Sequence, residues 1–146
     1  MIGIEATYIS SYEKLIYTLL NGIDFKKYDF YVVEDEIIVE GGNKKLPDKI
    51  VGDEFLDYFS KDNYFVYFMN LQIYNKGVEA FGIDDYNEFL KSDCQFILLI
   101  TDNRYIECYF KEESIKDVFL KNLDANNISY EIKTVENDGR CAMNLF

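Results

Sequence analysis

The sequence predicts an α+β fold: a single domain spanning 1–146, with a mostly antiparallel sheet and about four short helices. Three observations carry this expectation. The 146 residues match the usual size of one domain, and no repeat, low-complexity tract or linker divides them. The strongest local pattern is a hairpin, Cys94-Gln95-Phe96-Ile97-Leu98-Leu99-Ile100-Thr101, then Asp102-Asn103, then a second strand over residues 104–111. The remaining strand-like runs are joined mainly by short turns and brief amphipathic helices, which favours hairpins over long parallel crossovers.

Residues 1–8 alternate loosely with β-branched side chains and predict a strand. Ser10-x-x-Glu13 reads as a capping box before Tyr12, Leu15, Ile16, Leu19 and Leu20, whose spacing lines one helix face. Asn21-Gly22 ends that helix. Residues 30–33 and 37–40 are strand formers around Glu34-Asp35-Glu36 and read as a hairpin, with Gly41-Gly42-Asn43 closing the second strand. Past the loop at Pro47, Asp53 is placed to cap a short helix that buries Phe55, Leu56 and Phe59.

Residues 64–74 begin aromatic and apolar on both faces, the pattern of a central strand covered on both sides. Asp84 and Asp85, with Glu88 following, announce a short helix carrying Tyr86, Phe89 and Leu90. In the strand over 104–111, Ile106, Cys108 and Phe110 share the expected core face. Tyr105, Glu107, Tyr109 and Lys111 share the other, expected to be aromatic but wet. Ile115, Val118, Phe119 and Leu123 mark an amphipathic helix, residues 128–135 a strand, Glu136-Asn137-Asp138-Gly139 a turn, and residues 141–146 a last strand.

Composition narrows function by exclusion. The chain has 27 acidic and 15 basic residues, a net charge of −12, no histidine and no tryptophan. Such a surface repels phosphate backbones and anionic lipid heads and attracts basic proteins, more weakly as salt rises. The expected partner is therefore a basic protein, with no nucleic acid and no membrane. No signal-peptide pattern follows Met1, and no apolar run approaches a membrane span, so a cytoplasmic location is expected.

Without histidine, imidazole-based catalysis is absent, and no G-x-S-x-G elbow stands in its place. Cys94, Cys108 and Cys141 form no C-x-x-C pair and read as reduced structural thiols; Arg140 beside Cys141 is the only adjacent arginine. The acidic clusters at 34–36, 53–57, 84–88 and 136–138 lack a calcium-loop pattern and read as caps and turns. Gly41-Gly42-Asn43-Lys44-Lys45 puts its lysines too early for a phosphate loop and reads as a β-turn. No catalytic residue, metal ligand or cofactor site is assigned.

Thirteen tyrosines and twelve phenylalanines are a large supply of contact groups for one domain. The candidate partner-binding residues are Glu34, Asp35, Glu36, Tyr105, Glu107 and Tyr109. Arg104, Asp138 and Arg140 are candidates for a ligand contact or a structural charge, since both arginines adjoin turns bearing carboxylates.

Tyr86-Asn87-Glu88-Phe89-Leu90-Lys91-Ser92-Asp93-Cys94-Gln95, the stretch 105–111 and Glu136-Asn137-Asp138-Gly139-Arg140 are similar to a family of small proteins from bacilli and related Firmicutes, domain of unknown function 2691. Gly3-Ile4-Glu5 and Gly22-Ile23-Asp24 extend the resemblance over nearly the whole chain. Gly139 and Cys141 depart from the Ser and Thr expected around the arginine, which weakens any role for a hydroxyl there. The resemblance implies a bacterial cytoplasmic source and carries over no activity.

The leading expectation is a non-catalytic acidic protein-binding domain of the immunity or inhibitor type, neutralising a basic partner. Two alternatives belong to other classes: a small-molecule sensor or enzyme with a Tyr-lined pocket, and a structural homo-oligomer subunit.

Overall fold

The computed structural model describes residues 3–7, 14–80 and 82–134. Their order is β1 (Gly3–Thr7), α1 (Leu15–Leu20), β2 (Tyr28–Val39), β3 (Gly42–Lys44), β4 (Lys49–Val51), α2 (Phe55–Phe59), β5 (Phe65–Asn75), α3 (Tyr86–Lys91), β6 (Cys94–Thr101), β7 (Tyr105–Phe110), α4 (Glu113–Ala125) and β8 (Tyr130–Lys133). The eight strands form one sheet ordered β3-β2-β5-β6-β7-β1-β8, with β4 also paired to β2. Every pairing among them is antiparallel. This is the α+β architecture that the sequence predicts.

The helix periodicity of 15–20 places Leu15, Ile16, Leu19 and Leu20 fully inside, and α1 stops at Asn21 ahead of Gly22, whose φ of +102° favours glycine. From α4, the Asn122 side-chain amide donates to the Leu19 and Asn21 carbonyls at 2.8 Å each, satisfying acceptors left open at the end of α1. The capping box at Ser10 and Glu13, the turn at 136–139 and the strand expected over 141–146 lie outside the described residues.

Three expectations are corrected. Glu34-Asp35-Glu36 is no hairpin turn but the middle of the continuous strand β2, and the chain reverses at Glu40-Gly41, where Val39 pairs with Gly42 and Gly41 adopts φ +90°. Glycine tolerates that backbone, whereas consecutive carboxylates on an extended strand are divided by the pleat between its two faces and need no turn. Second, Leu56 and Leu90 are exposed, because α2 and α3 are so short that each buries only one side. Third, β5 is covered on both faces only along its inner half; Phe65 and Tyr67 are exposed, and Phe68 is half-buried.

Helices α1, α2 and α4 cover one face of the sheet and build the main core with Phe30, Leu71, Phe96, Leu98 and Cys108. The opposite face carries a smaller cluster of Tyr74, Ile83, Phe89, Cys94, Ile97, Leu99 and Tyr109, covered by α3 and its preceding loop. The capping of α3 follows the sequence: Asp85 accepts from the Glu88 amide at 2.9 Å, and Glu88 accepts from the Asp84 amide at 2.7 Å. Among the described residues, α3 and its preceding loop roof only part of this second face, and Phe65, Tyr67 and Tyr105 are exposed.

Candidate functional site

Antiparallel partners share a face, so the registers stack residues into rows across the sheet. On the face away from α1, α2 and α4, one row reads Tyr31, Gln72, Ile97, Tyr109, Gly3, Lys133 from β2 to β8. The next reads Glu34, Asn70, Leu99, Glu107, Glu5, Glu131, and the third Glu36, Phe68, Thr101, Tyr105, Thr7. The rows pass from buried to exposed.

In the innermost row, Lys133 is buried, its side chain only 6% exposed. Its Nζ donates to Tyr109 Oη at 2.8 Å and Glu107 Oε2 at 3.2 Å, lies 3.9 Å from Glu5 Oε2, and stands 5.0 Å from the Tyr109 ring centre. Burial alone would push the ammonium toward release of its proton. The bond to Tyr109 and the charge of Glu107 outweigh it and hold the amine above its ordinary value. An amine held protonated is no nucleophile, so this cluster ties β8, β1 and β7 together.

The wet aromatic face expected along β7 is therefore corrected: Tyr105 is half exposed, Glu107 half-buried and paired, and Tyr109 fully buried beneath Tyr86. Lys111 also turns inward, donating to the Phe89 and Ser92 carbonyls at the end of α3 at 2.8 and 2.6 Å. Burial lowers the affinity of its amine for a proton. Asp35 occupies the opposite face, in the row of Met69 and Ile100, where burial and then the charge of Asp48 raise its carboxyl. The sequence triplet 34–36 is thus split by the pleat, leaving Glu34 and Glu36 with Tyr105 on one face and Asp35 on the other.

Burial pushes the Cys94 thiol up to about 12 and Cys108 well above its ordinary value. A raised thiol pKa means less thiolate at a given pH, so at pH 8 Cys94 holds roughly a thousandth of the thiolate of an exposed cysteine. In a Cys141→Ser variant, a disulfide-exchange reagent at pH 8 is expected to leave both thiols unmodified until denaturant unfolds the chain. Prompt native-state labelling would contradict their assignment as inert core groups.

The outer part of this face is aromatic and open. Tyr105 is 50% exposed, Tyr67 48%, Phe65 42% and Ile38 39%. Phe65 pairs with Ile38, and the Tyr67 ring lies 6.4 Å from both the Phe65 and Phe68 rings. Tyr67 is the extra residue of a bulge, since Glu36 opposes Phe68 while Ile37 opposes Val66; a bulge re-aims a side chain in this way. The tight turn that carries Asp102 packs against it, the Asp102 amide donating to the Tyr67 carbonyl at 2.7 Å. The sequence pattern missed Phe65 and Tyr67 because alternation assigned 64–68 to a doubly covered strand, and it missed Lys133 because strand-to-strand register is not written in local spacing.

Arg104 is exposed, its guanidinium carbon 5.6 Å from the Tyr105 ring centre. Asp138 and Arg140 lie outside the described residues. Among the described residues, no group of three or more His, Cys, Asp or Glu side chains is arranged to hold a metal ion, and no helix is long and apolar enough to cross a membrane. A cleft of about 610 Å³ lies where Val39, Glu40 and Lys44 face Lys61, Asp62, Asn63 and Tyr64. The Tyr64 hydroxyl there is engaged, donating to the Phe59 carbonyl and accepting from the Tyr17 amide.

A family model described as "Protein of unknown function (DUF2691)" matches residues 1–144. The chain is 24% identical over 151 residues to the Uncharacterized protein YncE of Bacillus subtilis (strain 168), with 97% of each chain covered. No solved structure matches it. With the model spanning nearly its whole length, the chain belongs to the DUF2691 family.

Proposed function

We propose that this protein is a non-catalytic binding domain that engages a basic protein partner, as immunity and inhibitor proteins do, through the outer half of its second sheet face. The observation carrying this reading is the exposed group of Ile38, Phe65 and Tyr67 on β2 and β5, with exposed Tyr105 two strands away in the row Glu36, Phe68, Thr101, Tyr105, on a face that also bears Glu34 and adjoins the Asp102 turn, in a chain of net charge −12. Rigid aromatic rings supply contact area at little entropic cost, and surrounding carboxylates steer a cationic surface toward them. The same charge disfavours pairing this face with a second copy of itself. Buried thiols and a buried, protonated Lys133 leave the titratable groups of the inner face to structural work.

The test is amide-resolved NMR during titration with an arginine-rich synthetic peptide. Shifts are expected to cluster around Ile38, Phe65, Tyr67 and Tyr105, and a Phe65→Ser/Tyr67→Ser variant should bind roughly tenfold more weakly, the scale of one interfacial aromatic anchor. Shifts spread evenly over every carboxylate, including Asp84, Asp85 and Glu88, would reduce the interaction to bulk charge and remove the reading.

A further inference from the structure

We propose that Arg104 is an internal stand-in for the partner: its guanidinium occupies the Tyr105 ring, and an arginine of the basic protein takes its place on binding. This rests on the binding reading above. Arg104 and Arg140 are the only arginines in the chain. Among the described residues Arg104 forms no ion pair despite the excess of carboxylates; its guanidinium carbon lies over the ring of Tyr105 at 5.6 Å from the centre. Its base is fixed, because Asp102 and Asn103 adopt φ +56° and +52° and the turn is clamped to β5. The Asp102 and Asn103 amides donate to the Tyr67 and Val66 carbonyls at 2.7 and 2.6 Å, and the buried Asn103 side chain accepts from the Val66 amide at 3.0 Å. The turn thus aims a cation at the ring while both stay exposed.

An exposed cation–π contact is weak, on the order of a two- to fivefold effect in affinity, so a competing guanidinium can displace it. The planar guanidinium stacks on rings and is more weakly hydrated than an ammonium, so the site is expected to prefer arginine over lysine. While Arg104 lies on the ring, weakly basic surfaces gain little there. A partner presenting several arginines also gains the carboxylates at Asp102 and Glu36, which Arg104 leaves unpaired.

Fluorescence anisotropy with labelled nona-arginine and nona-lysine, at about 0.15 M salt to screen distant charges, tests this. Wild type should bind nona-arginine more tightly than nona-lysine. Arg104→Ala should tighten nona-arginine by roughly three- to fivefold, and in a Tyr105→Leu background the same change should have no more effect than Lys26→Ala. Lys26 is exposed at the opposite end of β2 and reports the removal of one charge alone. If Arg104→Ala and Lys26→Ala act equally on both peptides, ring occupancy is overturned while the binding reading survives. If Tyr105→Leu and Phe65→Ser/Tyr67→Ser also leave binding unchanged, the binding reading fails with it.

Discussion

Replacing Lys133 with methionine is expected to destabilise the fold by about 3–5 kcal/mol, the range for removing one partner of a buried ion pair. Methionine preserves much of the stem, so the loss measures the ammonium more than the packing. Without it, Glu107 Oε2 and Tyr109 Oη lose a donor within 3.2 and 2.8 Å. Glu5 and Glu107 then stand directly opposite each other on β1 and β7 with no cation between them. Like charges opposite one another weaken an antiparallel pair, and a half-buried carboxylate cannot recover full hydration.

Urea denaturation followed by circular dichroism reads the effect directly. The double variant Lys133→Met/Glu107→Leu should recover most of the loss, because removing both partners also removes their desolvation cost. A single variant within about 0.5 kcal/mol of wild type, the scale of a surface substitution, would show the cluster to be incidental.

How far the sequence reveals this molecule depends on the range of each interaction. The hairpin of β6 and β7, the faces of α1 and α4 and the Asp85–Glu88 cap are set within a few residues, and all were readable. The Glu34-Asp35-Glu36 reading has the same origin in reverse: a local charge run outweighs the glycine signal at 41–42, although a continuous strand holds such a run by sending Glu34 and Glu36 to one face and Asp35 to the other. Tyr109 looked wet because alternation fixes which side chains share a face but not what covers that face. Its burial depends on α3 and the loop before it, and on Lys133, 24 residues along the chain. The exposed patch was half legible: Tyr105 followed from the strand pattern, whereas Tyr67 needed the bulge and Arg104 needed the left-handed turn to give it direction.

Phe55→Ala should also cost about 3–5 kcal/mol, and it tests the helix-covered face independently of any charge. The ring is fully buried, with centres of Phe30, Phe59 and Phe25 at 4.3, 4.8 and 5.0 Å. How much a cavity costs depends on how far its walls can relax, and here the walls are fixed by backbone. A Cβ at Gly52 would stand 1.7 Å from the Phe25 carbonyl oxygen and 2.4 Å from that of Tyr28, so the chain entering α2 is pressed against the chain entering β2. With these two segments already in contact, Phe25 and Phe30 cannot close over the vacated ring without moving β2 in the sheet. Leu56→Ala, one residue along and 38% exposed, should cost less than half as much, since little apolar area leaves water there. Equal losses at 55 and 56 would contradict the placement of α2. A loss confined to Phe55, with NMR shifts at Phe65, Tyr67 and Tyr105 unchanged in the folded fraction, would show that the aromatic face owes its geometry to the pairing of β5 with β6 and of β6 with β7, and not to the core on the far side.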